Sequence, residues 1–315
     1  MIKNVGNVLI AGSKGLIGSA CFKKMQDYGY NNLFYPSKEE LNYLEYEAFL
    51  NFSIKHKINT IIYAVGKVGG ILDNNSNQSN YLLYNSELAL NLFKVVQNSD
   101  VTESIVFGSS CMYPVNADQP YNEKSIFTGP IEKTSEGYAI SKLLLARGSN
   151  LLNLSNNNKC CFKIMIPNST YGPNDNFNIE TAHVMSALIK KISDAKNQKI
   201  PKIKLLGSGL PLREFVYSDD VANAIIMLLN NELNQTEQIF NIGSSEEISI
   251  KQLSKKISKI IGFEGIIEFD KSKPDGALRK YLDSSKINRI GWKPKILLNE
   301  GIKKTYEWYL KNYDH

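Results

Sequence analysis

A short apolar run, Asn7 to Ala11, gives way to Gly12-Ser13-Lys14-Gly15-Leu16-Ile17-Gly18 and then to a helical pattern through Met25. A strand that ends in a glycine turn and feeds a helix points free backbone N–H groups at the turn, the context in which a dinucleotide pyrophosphate binds. The spacing is Gly-x-x-Gly-x-x-Gly rather than Gly-x-Gly-x-x-Gly. The rhythm repeats: apolar runs at Asn32 to Tyr35, Thr60 to Ala64, Ser104 to Phe107 and Phe162 to Pro167 alternate with helical stretches. Such alternation predicts an α/β fold with a Rossmann-type doubly wound parallel sheet. Beyond Tyr171 the rhythm breaks, and Ile239 to Ile242 is expected to return to the sheet. The expected division is therefore a dinucleotide-binding domain, residues 1–170 and 215–245, and a smaller, interleaved C-terminal substrate domain, residues 171–214 and 246–315.

The 315 residues carry a net charge of +6, with 43% apolar and 22% charged residues. The lysines are scattered among Asp and Glu, with no basic run interleaved with aromatics, so no nucleic-acid partner is expected. A mild positive excess suits an anionic small molecule. Val8 to Ala11 is too short for a signal h-region or a membrane span, and no membrane partner is expected. Cys21, Cys111, Cys160 and Cys161 show neither a disulfide framework nor zinc spacing. A reducing cytoplasm and no metal are the expectation, with Cys160 and Cys161 filling a strand.

Chemistry concentrates in Gly108-Ser109-Ser110-Cys111-Met112-Tyr113-Pro114, directly after the run Ser104 to Phe107. Loops at the carboxyl ends of parallel strands are where ligands sit. Downstream, Tyr138 and Lys142 are four apart and share one face if that stretch is helical. A serine and a tyrosine aimed at one carbonyl oxygen, with a lysine lowering the tyrosine pKa, is the arrangement these residues allow. Val65 to Ile71, rich in glycine, can approach a cofactor or serve as a plain loop, and a long helix carrying Asn85 follows.

The strand Asn32 to Tyr35 ends at Pro36-Ser37-Lys38 without the acidic residue that a ribose 2′-hydroxyl requires. Lys38 with Lys14 can meet a 2′-phosphate instead, or be solvated surface charge. Ser37 and Glu40 read as a capping box opening the next helix. Asp219 and Asp220 read as N-cap and first-turn partners of a helix through Leu229, and His183 opens a helical stretch to Ile192.

These stretches resemble the extended short-chain dehydrogenase/reductases, the NAD-dependent epimerase/dehydratase family, and within them the GDP-L-fucose synthases. The resemblance runs through Gly12 to Gly18, Lys67 to Ile71, Gly108 to Pro114, Tyr138 with Lys142, Tyr171 to Phe177, Ala182-His183-Val184, Arg213-Glu214-Phe215 and Pro274 to Lys280. It implies an NADP(H)-dependent enzyme that epimerises and reduces a GDP-4-keto-6-deoxy sugar, and a cytoplasmic homodimer. Ser109, Tyr138 and Lys142 would be the reductase triad, with Cys111 and His183 the epimerising base and acid. Gly12, Lys14, Gly15, Leu16, Ile17, Gly18, Lys38 and Ala64, with Tyr138 and Lys142, would bind the cofactor. Ser110, Ser169, His183, Lys191, Arg213 and Lys280 would bind the substrate.

Some positions depart from the pattern. Ser169 stands where the family has asparagine, Val65-Gly66 replaces Ala-Ala, and the loops Thr128 to Gly137 and Asn153 to Lys159 are individual. These border the expected sugar pocket. Related readings are a C4 reductase, with or without epimerase activity, on a GDP-deoxyheptose or colitose precursor, and a non-catalytic NADP-binding protein. A 4,6-dehydratase needs a carboxylate pair where Cys111-Met112 stands.

Overall fold

The structure is a computed structural model that describes residues 5–155, 159–231, 238–273 and 275–313. Pro274, and residues 156–158 of the individual loop at Asn153 to Lys159, lie outside the described residues.

The apolar runs pair as parallel strands, buried on both faces except for the half-buried edge strand at Leu33–Phe34. The strands are β1 (Asn7–Ala11), β2 (Leu33–Phe34), β3 (Ile58–Tyr63), β4 (Glu103–Phe107), β5 (Cys161–Pro167) and, late in the chain, β9 (Ile239–Ile242). They form one six-stranded parallel sheet in the order β2-β1-β3-β4-β5-β9. Between them run α1 (Leu16–Asp27), α2 (Tyr46–Lys55), α3 (Ile71–Ser76), α4 (Gln78–Gln97) and α5 (Glu136–Asn153). Cys160 is buried beside β5 and Cys161 opens it.

Two hydrophobic clusters line the two faces of this sheet. One joins α2, α4 and α5 to β3, β4 and β5 through Phe49, Leu92, Leu145 and Phe162. The other joins α1 to α7 (Ser218–Asn230) through Met25, Val221, Ile225 and Phe107. Helices on both faces are what make the central strands predominantly apolar.

The second half is built from β6 (Ser169–Tyr171), α6 (Val184–Asn197), β7 (Lys202–Leu206), β8 (Leu212–Tyr217), β10 (Glu247–Ser249), α8 (Ile250–Ile261), β11 (Ile266–Asp270), β12 (Arg279–Lys280), α9 (Ser285–Arg289) and α10 (Leu298–Tyr313). β8 is its centre, pairing with β10, β12 and β6. A third cluster packs α6, α8 and α10 through Ile189, Leu253, Ile257 and Tyr309. In α8 the buried Leu253, Ile257 and Ile261 repeat every four residues, Ser249 and Gln252 close a capping box, and Gly262 ends the helix at φ +77.

Four features differ from the sequence expectations. Ser37 and Glu40 do bond reciprocally, Ser37 N–H donating to Glu40 Oε2 at 2.7 Å, but the next helix begins only at Tyr46. The pair closes a turn, since residues 41–45 bury Leu41 and Tyr43 instead of continuing a helical face. Ser169 to Tyr171, just beyond the apolar run that ends at Pro167, is a further strand, against β8. Asp219 and Asp220 lie in the first turn of α7, but Tyr217 is its N-cap. The last 70 residues do not all belong to the second cluster of elements: Leu282, Ile287 and Trp292 pack into the two cores that flank the parallel sheet.

One ion pair is buried within the sheet. Lys163 of β5 pairs with Glu103 of β4 and donates to the Leu228 carbonyl at the end of α7 at 2.5 Å. Removing one partner strands a buried charge, which costs about 3–5 kcal/mol. Urea unfolding of Glu103→Leu should show a loss of that order. The double variant Glu103→Leu/Lys163→Met should recover most of it, and additive losses would show that the two charges are not coupled.

Candidate active site

At the carboxyl end of β4 the chain turns sharply. Ser109 is extended and caps a one-turn 3-10 helix, Ser110–Met112, its Oγ accepting the Cys111 N–H at 3.2 Å. This turn presents the Ser109 hydroxyl and the Cys111 thiol together, while Met112 fills the core beneath. Ser110 is half-buried at the start of the turn.

α5 delivers the next pair. Its N-terminus is clamped to α4 by Gln78, which donates to the Lys133 carbonyl at 2.8 Å and accepts the Gly137 N–H at 3.0 Å. Tyr138 and Lys142, one turn apart, are both buried, and the Lys142 ammonium lies 5.7 Å from the Tyr138 ring centroid. Lys142 Nζ donates to the Phe107 carbonyl at the end of β4 at 2.9 Å. Tyr81, hydrogen-bonded to Asp73, packs edge-on against Tyr138 with centroids 6.2 Å apart.

The electrostatics differ from the sequence expectation at one point. Burial raises Tyr138 above an ordinary phenol, the Cys111 charge raises it further, and a Ser109 hydrogen bond opposes both. Burial also pushes Lys142 down to about 8. Lys142 still carries its proton at neutral pH but does not outweigh the burial of the phenol, so Tyr138 is held as a protonated acid.

Cys111 goes the other way. Burial raises a thiol, but the Lys280 ammonium, Ser109 and Ser135 outweigh it, and Cys111 falls below the ordinary thiol range although Glu132 opposes the shift. Lys280 Nζ is 3.5 Å from Cys111 Sγ and 3.4 Å from Glu132 Oε2. Arg213, half-buried on β8, also acts on Cys111 and Glu132 electrostatically. Lys280 and Arg213 are paired residues on adjacent parallel strands, which brings both to the same place.

The glycine turn is built for close backbone approach. Gly12 has φ +78 and a Cβ there would lie 2.5 Å from the Ala64 carbonyl, while a Cβ at Gly18 would collide with the Gly12 carbonyl. Gly15 is the N-cap of α1, Leu16 and Ile17 open the helix, and no acidic residue stands in its first turn. Lys14 and Lys38 both act electrostatically on the exposed Glu39, so the two lysines face one place. Asn85 accepts the Lys67 N–H at 2.8 Å and donates to its carbonyl at 3.0 Å, fixing Gly66 close to Lys142.

The structure thus brings Ser109, Cys111, Tyr138, Lys142, Arg213 and Lys280 into one centre. It does not bring in all the others. His183 is exposed, caps the N-terminus of α6 and faces Asp175, and among the described residues no hydrogen bond or salt bridge links it to Cys111. It is brought toward the site by Gly70, whose N–H donates to the Thr181 carbonyl at 3.1 Å. Lys191 donates to the Lys204 carbonyl at 2.6 Å and is tied to β7. Ser169 is half-buried in β6 beside Phe215. Sequence reasoning missed Glu132, Ser135, Gln78 and Tyr81. The first two lie in the loop Thr128 to Gly137, whose departure from pattern was the one available signal.

Among the described residues no group of three or more His, Cys, Asp and Glu is placed to hold a metal ion, and no helix is long and apolar enough to cross a membrane.

The profile of the NAD dependent epimerase/dehydratase family matches residues 8–243. The chain belongs to this family. The match covers the whole parallel sheet and stops before β12, so Lys280 lies outside it. Full-length similarity extends further. The chain is 35% identical over 314 residues to a GDP-L-fucose synthase of Escherichia coli (strain K12), covering 98% of this chain and 97% of the relative. It is 34% identical to a GDP-L-colitose synthase of Yersinia pseudotuberculosis, covering 98% and 99%. Among solved structures, a GDP-L-fucose synthetase from Naegleria fowleri bound to NADP superimposes with a TM-score of 0.90 at 27% identity, covering 100% of this chain and 96% of that one.

Lys142 supplies a test of this site's electrostatics. Its pKa, about 8 in the folded chain against an ordinary 10.5, means the unfolded chain holds the proton more tightly. The wild type should therefore gain about 3 kcal/mol as pH rises from 8 to 10.5. Lys142→Met should be at least as stable as wild type at pH 7 and less stable at pH 10, where only the lost bond to Phe107 remains. Chemical denaturation at both pH values reads this. A variant uniformly less stable would refute the depressed pKa.

Proposed function

We propose that the chain is an NADPH-dependent epimerase/reductase that converts a GDP-4-keto-6-deoxy sugar of the mannose type to a GDP-L-sugar such as GDP-L-fucose. The observation that carries the reading is the convergence of two chemistries on one turn. A protonated tyrosine and a serine hydroxyl meet a low-pKa thiol at the end of β4. The similarity to GDP-L-fucose synthases over nearly the whole chain supports it.

NADP(H), when bound, supplies the hydride for C4. The residues present fit it: Gly12 and Gly18 let the turn fold tightly on itself, and the start of α1 after Gly15, with Leu16, Ile17 and Ala64 beside it and no acidic residue in its first turn, would receive a pyrophosphate. Lys14 and Lys38 give a 2′-phosphate two ammonium groups in place of the missing strand-end carboxylate. Tyr138 gives its proton to O4, and Ser109 donates a second hydrogen bond that stabilises charge developing there. Lys142 fixes the end of β4 against α5.

The C4 ketone acidifies the hydrogens on C3 and C5. Cys111 removes these protons, and His183, reaching in from the α6 side, returns them on the opposite face. Arg213, with Ser110 and Ser169, binds the sugar nucleotide, and Lys191 serves its outer end. In this reading residues 1–170 and 215–245 hold the cofactor, and residues 171–214 with most of 246–315 hold the GDP-sugar. The colitose synthase similarity favours one second reading, a related GDP-4-keto sugar handled by the same residues.

The protein is proposed to be cytoplasmic and homodimeric. Leu83 and Leu90 on α4, with Ile140 and Leu151 on α5, are exposed apolar side chains on two helices that pack together. A symmetric partner would cover them. Light scattering should give a dimer for wild type and a monomer for Leu83→Glu/Leu90→Glu, and a monomeric wild type would dispose of the dimer.

Incubation with GDP-4-keto-6-deoxymannose and NADPH in deuterated water should oxidise NADPH and place deuterium at C3 and C5. Reduction without label would leave a plain C4 reductase. Lys14→Ala and Lys38→Ala should each raise the KM for NADPH about tenfold, the loss of one charge-assisted hydrogen bond. The KM for NADH should change little, and equal losses for both cofactors would remove the 2′-phosphate role.

A further inference from the structure

Lys280 sits further from its functional neighbours in sequence than any other member of the centre, 169 residues from Cys111. The fold fixes it closely. β12 lies beside β8, the Lys280 carbonyl accepts Asn168 Nδ2 at 3.2 Å, and Asn168 donates in turn to Glu214 Oε2 at 2.6 Å. The same carboxylate oxygen accepts the Leu282 N–H at 3.2 Å. The backbone is thus pinned on both sides of Tyr281, and the Lys280 side chain is laid between Cys111 Sγ and Glu132 Oε2.

We propose that Lys280 is a positioning residue for proton transfer, one that sets the ionisation of Cys111, with Glu132 as its counter-charge. This rests on the reading of Cys111 as the base at C3 and C5. An ordinary thiol has a pKa near ~8.5 and is mostly protonated at neutral pH, so it is a poor base until a cation favours the thiolate. The groups facing Cys111 come from every neighbouring element: Ser109 from its own turn, Glu132 and Ser135 from the loop before α5, Tyr138 from α5, Arg213 from β8 and Lys280 from β12. Lys280 is the cation in contact. The Ser135 hydroxyl is buried with no full hydrogen bond of its own, leaving it free to turn toward a sulfur anion.

Glu132 has a physical purpose in this arrangement. A base whose pKa is driven far down accepts protons weakly, and the best catalytic pKa lies near working pH. The carboxylate shares the ammonium with the thiolate and limits the depression. The sequence resemblance implied that Lys280 binds substrate; the contact with sulfur gives it work before any substrate arrives.

The test reads the thiol directly. The full-length chain, with no sugar nucleotide present, is alkylated with iodoacetamide from pH 5 to 10, and modification of the Cys111 peptide is followed by mass spectrometry, with Cys111→Ser as the blank. Lys280→Met should move the midpoint up by about 1 to 3 pH units, Lys280→Arg should restore most of the shift, and Glu132→Gln should move it down. An unmoved midpoint in Lys280→Met overturns the proposal. If that variant does not fold, Glu132→Gln decides alone: a fall supports the proposal, and no change overturns it. Deuterium exchange at C3 and C5 is measured separately. A shifted midpoint without exchange would leave the tuning standing and remove the epimerase reading.

Discussion

The buried carboxylate of Glu214 holds the two halves of the molecule in register. It is fully shielded from solvent and accepts hydrogen bonds from Asn168 at the end of β5, from Ser245 between β9 and β10, and from Leu282 beyond β12. Burial raises its pKa while these donors oppose the rise. Three donors satisfy a group that would otherwise be costly to bury. Gly243 is required beside it, because any Cβ there would collide with the carboxylate. Through this one group the last strand of the second half is fixed against the first half's loops, and Lys280 and Arg213 arrive at the turn after β4.

That turn then works by placing charge where water is scarce. Burial favours the uncharged form of Tyr138, Lys142 and Cys111 alike, and only at Cys111 do the neighbours reverse it. The phenol stays protonated and can act as an acid. The lysine holds its proton less tightly than usual and serves as a hydrogen-bonding strut to the Phe107 carbonyl. The thiol alone meets a full cation, and it alone is pushed toward its anion. Burial with one added ammonium separates an acid on α5 from a base on the turn after β4.

The neighbouring loops are positioned by side chains with no chemistry of their own. Gln78 clamps the entry of α5, Asn85 clamps the Lys67 backbone, and Tyr81 buttresses the Tyr138 ring. Each is polar, buried or half-buried, and hydrogen-bonded, Gln78 and Asn85 to backbone and Tyr81 to the Asp73 carboxylate, so each fixes one geometry rather than adding general stability.

The sequence by itself determined the parallel sheet, because strands covered on both faces must be predominantly apolar, and that pattern is visible without any contact map. It also determined the glycine turn, since Gly12 and Gly18 leave no room for a Cβ, and the residue types at Ser109, Cys111, Tyr138 and Lys142, which lie within two local motifs. Local chemistry misled where it had no tertiary context: Ser37 and Glu40 form their reciprocal bonds, but the helix they would open is displaced by the burial of Leu41 and Tyr43. Only the tertiary structure decided that Lys280 touches Cys111, that Glu132 stands against both, and that His183 lies exposed on the α6 side. Those relations depend on strand register between β8 and β12 and on a buried carboxylate reaching across three segments. No periodicity in the chain encodes a distance between residues 169 positions apart.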